Sequence, residues 1–141
     1  MVAIRTAAAQ KPLMSPQATY FLAQNQLAKG ETSEAINTNS AQPIEPWRWG
    51  IGAIIEHRLG HAAESQRTLD GLIDKYGPRA PGQVAQVYAW RGESEKLFEW
   101  LDRAYAQHDL SLGLLQITFP LFAARDDLRY AALLRKMNFP E

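Results

Sequence analysis

The chain has 141 residues, 46% of them apolar and 21% charged, which suits one domain with a real core and argues against disorder. Fifteen Lys and Arg balance fifteen Asp and Glu, which argues against binding nucleic acid or anionic lipid through charge alone. No cysteine is present, so disulfides, thiolate metal sites and thiol nucleophiles are excluded.

Residues 1–15 show Pro12, scattered small residues and no sustained period, and are expected to form a loose arm or a partial helix. The opening MVAIRTAAAQKPL carries an alanine run like a cleavage site, but Arg5 interrupts its apolar stretch. No stretch approaches the ~20 apolar residues of a membrane helix. A cytoplasmic protein without membrane contact is the expectation.

From Pro16 onward the punctuation becomes regular. Pro16 and Gly30, Pro46 and Gly60, and Pro78 and Gly92 are each fourteen residues apart. Proline is tolerated in the first turn of a helix, and glycine takes the left-handed turn after its end. Each pair therefore brackets one helix of three to four turns. A second helical segment follows each glycine: GETSEAI, GHAAESQRTL and GESEKLFEWL. Glu31 and Glu93 set negative charge at a first turn, where the helix dipole favours it. A repeated helix pair, its glycines thirty and thirty-two residues apart, is the signature of a helical solenoid.

The first hairpin, 16–42, has Tyr20, Phe21, Ala23 and Leu27 in its leading helix. Its second helix is expected to be weak, because NTNSAQPIEP follows Ala35 and Ile36 as turn chemistry. In the second hairpin, 46–77, Trp47, Ile51, Ile55 and Leu59 recur every four residues beside Trp49 and Ile54. Leu69, Leu72, Ile73 and Tyr76 face back from its partner helix. The third, 78–108, is built on VAQVYAWRGESEKLFEWLDRAYAQHD. There Val84, Val87 and Tyr88 form one stripe, and Leu97, Leu101 and Ala104, widened by Phe98 and Tyr105, form the other.

In the tail, 110–141, SLGLLQI reads as a short helix or a buried run, Phe119-Pro120 breaks it, and Phe122 is expected underneath. Asp126-Asp127 then caps a closing helix with Leu128, Ala131, Leu134 and Met137 as its buried stripe, and Pro140 limits its continuation. The expected fold is all-α: about three hairpins in a single domain over 16–141, with a C-terminal closing helix.

The two-helix unit resembles the tetratricopeptide repeat (TPR). Tyr88, Ala85 and Ala104 match that family's aromatic and small-residue positions in the third unit. Trp49, Ala53 and Ser65 do so in the second, and Ala23 and Ala35 in the first. HRLGHAAESQRTLDGLIDKYG, VYAWRGESEKLFEWLDRAYAQHD and the tail LFAARDDLRYAALLRKM are similar to a C-terminal TPR segment of bacterial proteins. There it often follows an adenylate/guanylate cyclase or winged-helix regulatory domain. Over residues 18–137, where the likeness lies, no such catalytic or DNA-binding domain occurs. Leu97 stands where the family has alanine, Glu56 replaces an aromatic, and Leu128 replaces a proline.

Residues that carry chemistry have structural readings close at hand. His57 and His61 are four apart, but Gly60 breaks the helix between them and HRLGH lacks the zinc-protease glutamate, so no metal is expected. His108-Asp109 suits a helix C-terminus, and Gly50 and Gly52 suit close packing. No P-loop, GxSxG or GxGxxG after a strand is present, and no cofactor is expected.

What remains is the groove. The resemblance implies that the leading helices line a concave face against which a partner peptide or helix lies. Register transfer puts Tyr20 and Gln24 there in the first unit and Ile54, His57 and Arg58 in the second. Arg79, Gln83, Gln86 and Trp90 follow in the third. Gln24, Ile54 and Gln86 stand where chaperone-type TPRs carry asparagines, so a clamp for acidic C-termini is not expected. The leading expectation is a non-enzymatic module binding a protein or peptide. The alternatives are a small-molecule-binding or catalytic helical protein with its site between array and tail, and a self-assembling module pairing as a homodimer.

Overall fold

The computed structural model describes residues 14–107 and 128–136. Among these residues there are seven α-helices and no strand: α1 Pro16–Ala28, α2 Thr32–Ser40, α3 Glu45–Arg58, α4 Ala62–Tyr76, α5 Pro81–Arg91, α6 Ser94–Ala106 and α7 Leu128–Lys136. None is long and apolar enough to cross a membrane.

The helix starts follow the prolines, with one shift. Pro16 opens α1, where the Ser15 hydroxyl accepts from the Ala18 N–H at 3.1 Å. Pro46 sits in the first turn of α3. In the third unit the opening proline is Pro81 rather than the expected Pro78, which lies in the turn after α4. An N–H-free residue fits either place, and sequence spacing alone favoured the wrong one.

The three hairpin turns are one device used three times. Gly30, Gly60 and Gly92 have φ of 79°, 81° and 73°. In each turn the glycine N–H bonds three residues back, to Leu27, His57 and Ala89. The next residue's N–H bonds five back, to Gln26, Glu56 and Tyr88. That paired pattern satisfies helix-end carbonyls and needs the left-handed conformation glycine supplies.

Seven residues before each glycine stands a buried alanine, Ala23, Ala53 or Ala85. Five after it stands Ala35, Ser65 or Leu97, also buried. The small side chains let the paired helices approach closely, and the Ser65 hydroxyl donates to the Ala53 carbonyl at 2.8 Å. Leu97, the larger residue, is absorbed into the core with Phe98, Leu101 and Ala104.

The hairpins α1–α2, α3–α4 and α5–α6 pack side by side, with α3 against α1 and α5. The leading helices run parallel. Tyr20 meets Trp47 (ring centroids 5.3 Å apart) near the start of α1 and α3, and Leu27 meets Arg58 at their ends. Gly50 likewise lies beside Gln83, and Arg58 beside Trp90, in α3 and α5. Every residue of α5 from Pro81 to Tyr88 is buried.

Three expectations need correction. NTNS is helical, since α2 runs to Ser40, and the polar residues act as bridges to other elements. Asn39 Nδ2 donates to the Arg48 carbonyl at 3.0 Å, and Gln42 Nε2 to the Pro16 carbonyl at 2.9 Å. Leu59 is exposed, because it falls in the turn after α3. Leu128 is 86% exposed, and the face of α7 toward α6 is Arg129, Leu133 and Lys136. Arg129 lies over the Phe98 ring at 4.8 Å and Lys136 over Tyr105 at 5.4 Å, so α7 runs parallel to α6 with Leu133 buried between these contacts. Cationic groups over rings, together with buried Leu133, seat this helix. The loose arm to residue 13, SLGLLQI, Phe119-Pro120, Phe122, His108-Asp109, the Asp126-Asp127 cap, Leu134's packing, Met137 and Pro140 lie outside the described residues.

Candidate functional site

Counting back from each turn glycine exposes the face on which the candidate residues sit. Six residues before it come Gln24, Ile54 and Gln86, and two before it Ala28, Arg58 and Trp90. These positions lie one turn apart on parallel helices, so three helix ends present one short row each.

The rows converge at one point. The Trp90 indole N–H donates to Gln24 Oε1 at 3.5 Å, a long bond that joins the third leading helix to the first. Arg58, from the helix between them, donates through Nη2 to the Leu27 carbonyl at 2.8 Å and stacks its guanidinium over the Trp90 ring at 5.3 Å. Each leading helix thus supplies one member of a side-chain clasp. The Trp90 ring is half-buried and Arg58 is exposed, so the clasp sits at the rim.

Beneath the rim the face is closed. Gln24, Gln83 and Gln86 are 6%, 6% and 5% exposed, and Ile54 is 0%. Two amide atoms there have no hydrogen-bond partner: Gln24 Nε2, a donor, and Gln86 Oε1, an acceptor. Leaving such groups unmet costs about 1–3 kcal/mol each; among the described residues Arg91 Nη1, at the end of α5, is the third such atom, whereas Asn39, Gln42 and Ser65 are satisfied.

Of the nine residues expected on the face, the structure brings Gln24, Arg58 and Trp90 into contact, with Gln86 one helical turn from Trp90. Gln83 packs its Cβ 3.7 Å from where a Gly50 side chain would begin. Tyr20 is buried against Trp47 and Phe21 near the start of α1. Ile54 is wholly core, because α3 has neighbours on both sides. His57 is half-buried. Arg79 stands apart: it lies in the turn before α5, over Tyr76 at 5.4 Å, and donates to the Lys75 carbonyl at 3.2 Å.

Charge is organised elsewhere. Glu45 Oε1 accepts from Lys75 Nζ and from the Tyr76 hydroxyl, both at 2.6 Å. Those two hydrogen bonds hold the Glu45 carboxyl below the usual carboxylate range, and the bond to Glu45 raises the Lys75 ammonium above its ordinary value. Burial pushes the Tyr88 phenol up. His61 Nδ1 lies 2.8 Å from Glu56 Oε2, beside the second turn. Among the described residues no three of His, Cys, Asp or Glu gather so as to hold a metal ion.

Sequence reading placed Gln24 and Trp90 on one face but gave no sign that they touch across sixty-six residues. It also missed Arg91, which bonds Glu93 at 2.6 Å and Gln66 at 2.8 Å and so ties α5 to α4. No family model matches the chain, and no curated protein or solved structure matches it.

Proposed function

We propose that the chain is a cytoplasmic, non-enzymatic interaction module: a short solenoid of TPR-like hairpins whose leading-helix face takes an extended peptide from a protein partner. The observation that carries this reading is the pair of unmet amide atoms, Gln24 Nε2 and Gln86 Oε1. One donates and one accepts, and they come from the first and third leading helices. A trans peptide group points its carbonyl and its N–H in opposite directions, so it suits a donor and an acceptor held on separate walls. A carboxylate only accepts and an ammonium only donates, so neither meets both. The partner segment is therefore internal to a chain and neutral where it is read, which agrees with the lack of a clamp for acidic C-termini. Trp90 offers aromatic area beside the pair, of the kind that dominates peptide interfaces.

This reading has an unusual signature under mutation. Gln24→Leu and Gln86→Leu should each weaken binding about 2- to 10-fold by deleting one hydrogen bond. Gln86→Leu should also raise the melting temperature of the free protein, because a buried polar atom without a partner is removed, whereas Gln24→Leu, which also takes the acceptor from the Trp90 indole N–H, should not. The test selects binders from a library of short peptides with acetylated and amidated ends, then titrates them against the parent and both variants alongside thermal melts. Peptides that bind the parent and both variants equally would overturn the reading, as would a library from which nothing binds.

A further inference from the structure

The chain repeats itself ahead of α1. Residues 3–13, AIRTAAAQKPL, echo residues 35–44, AINTNSAQPI: with Lys11 passed over, Ala, Ile, Thr, Ala, Gln and Pro recur, and Leu13 stands for Ile44. The echo keeps the period of the hairpins. Ala3 lies thirty-two residues before Ala35, Ala35 thirty before Ser65, and Ser65 thirty-two before Leu97. The last three are the buried residues five after each turn glycine. Residues 35–44 cover most of α2 and its connection to α3. We propose that residues 2–9 are a helix docked on the side of α1 turned away from α3, with Ala7 against Leu22, as α2 is docked on α3.

That side of α1 is built for such an occupant. Nine and eight residues before the turn glycines stand Phe21 and Leu22 in α1, Ile51 and Gly52 in α3, and Gln83 and Val84 in α5. In the later units these positions meet the preceding hairpin. A Cβ on Gly52 would lie 3.9 Å from Asn39 Nδ2 of α2, and a Cβ on Gly50 of α3 would lie 3.7 Å from the Gln83 Cβ. Among the described residues α1 has no hairpin before it, yet it carries a phenyl ring and an isobutyl group there, both half-buried.

Size matching fixes the register. Asn39 stands four residues after Ala35 and faces a glycine. Ala7 stands four residues after Ala3 and faces Leu22, so small and large partners change sides and the volume between the helices is kept. Val2 to Ala9 holds four alanines and no glycine or proline, which favours a helix. A helix this short takes its stability from packing rather than propensity. Pro12 stops it from running on, and residues 10–15 give a six-residue connection to α1, against four residues between α2 and α3. This side of α1 therefore belongs to the chain itself, which leaves a partner the leading-helix face. The docking stands whether or not that face takes a peptide.

The test uses the full chain, which has no native cysteine. Leu22→Cys is combined in turn with Ala7→Cys, Arg5→Cys or Ala8→Cys, and disulfide formation under mild oxidation is followed by mass. An arm without fixed structure presents all three thiols alike, because the tethers are nearly equal in length. A docked helix presents position 7 and turns positions 5 and 8 away by roughly 200° and 100°. Ala7→Cys should therefore react about tenfold faster than the other two, since a disulfide needs its Cβ atoms close together. Hydrogen exchange gives a second readout: the amides of residues 6–9 should be protected in the parent chain and lose protection in Leu22→Asp, while α3 to α6 keep theirs. Equal rates at the three positions overturn the docking. So does faster reaction of Ala7→Cys with Ala28→Cys, exposed on the leading-helix face, than with Leu22→Cys. Should Leu22→Cys fail to fold, unprotected amides at 6–9 in the parent chain are enough to overturn it.

Discussion

A buried hydroxyl, a methyl and an isobutyl group occupy the same place in the three units, as Ser65, Ala35 and Leu97. The crossing of each helix pair is therefore set by the alanine on the other side, Ala53, Ala23 or Ala85, which is buried in every unit. At this scale the energetics are local. Ser65→Ala removes a bond to a carbonyl and should cost only about 0.5–1.5 kcal/mol. Ala104→Leu puts an isobutyl group in place of a methyl in the closed α5–α6 contact and should cost about 1–3 kcal/mol. Urea denaturation of the two variants checks the order, and a harmless Ala104→Leu would mean that the third hairpin holds unfilled space. Trp49 and Trp90 illustrate how far side-chain fate depends on neighbours. Trp100 is buried, whereas Trp49 is half-buried beside Tyr76 and Lys75, much like Trp90.

Helix pairs close at the end away from their glycine turn, and α3–α4 does so with charge. Glu45 in the first turn of α3 reaches Lys75 and Tyr76 at the end of α4, while Lys75 lies over the Trp49 and Tyr76 rings. Acid sits at a helix start and base at a helix end, the arrangement the helix dipoles favour. Because the folded-state pKa of Glu45 is lowered, this knot contributes fully above the ordinary carboxylate range, about 4.3. The contribution is lost as pH falls through the folded value. Lys75 is raised, so on the alkaline side its contribution is complete below about 10.4 and lost as pH climbs through the folded value. Replacing Glu45 with Gln should therefore flatten both limbs of melting temperature against pH. The effect at neutral pH should be small, because the pair is partly exposed to water. A profile that keeps its acid limb in Glu45→Gln would assign that limb to other carboxylates.

Stacking of the hairpins depends on how closely α3 and α5 approach. Gly50 is the contact point: a Cβ there would lie 3.7 Å from Gln83 and 4.0 Å from Leu72, which is ordinary van der Waals distance. Gly50→Ala should therefore stabilise the protein by about 0.5–1 kcal/mol, since alanine suits a helix interior better than glycine. Gly50→Leu should instead wedge the second and third units apart at a cost of about 1–3 kcal/mol. Hydrogen exchange would show that loss as faster opening in α5 than in α2, because it is α5 that meets Gly50, through Gln83. Equal behaviour of the two substitutions would mean that the helices are not in contact at Gly50.

What the sequence determined by itself is periodic and local: all-helical structure, turns at Gly30, Gly60 and Gly92, and apolar stripes in each pair. These follow from backbone rules that act over a few residues, since a left-handed turn needs glycine and a helix repeats every 3.6 residues. Its errors were also local. Pro78 and Pro81 are equally fit to open α5, NTNS carries turn residues that become bridges in α2, and Leu128, expected in the α7 stripe, is exposed while Arg129 and Lys136 set their cationic groups over rings of α6. The site was legible only as a face. Register put Gln24, Arg58, Gln86 and Trp90 on the leading helices, but it treated that face as open. Only the tertiary structure decided that the first and third helices come close enough for Trp90 to reach Gln24, and that two amide atoms are buried with nothing to bond. The reason is that the approach of α1 to α5 is set by packing at α1–α3 and α3–α5, where residues such as Gly50 and Gln83 meet. A contact across sixty-six residues leaves no period in the chain.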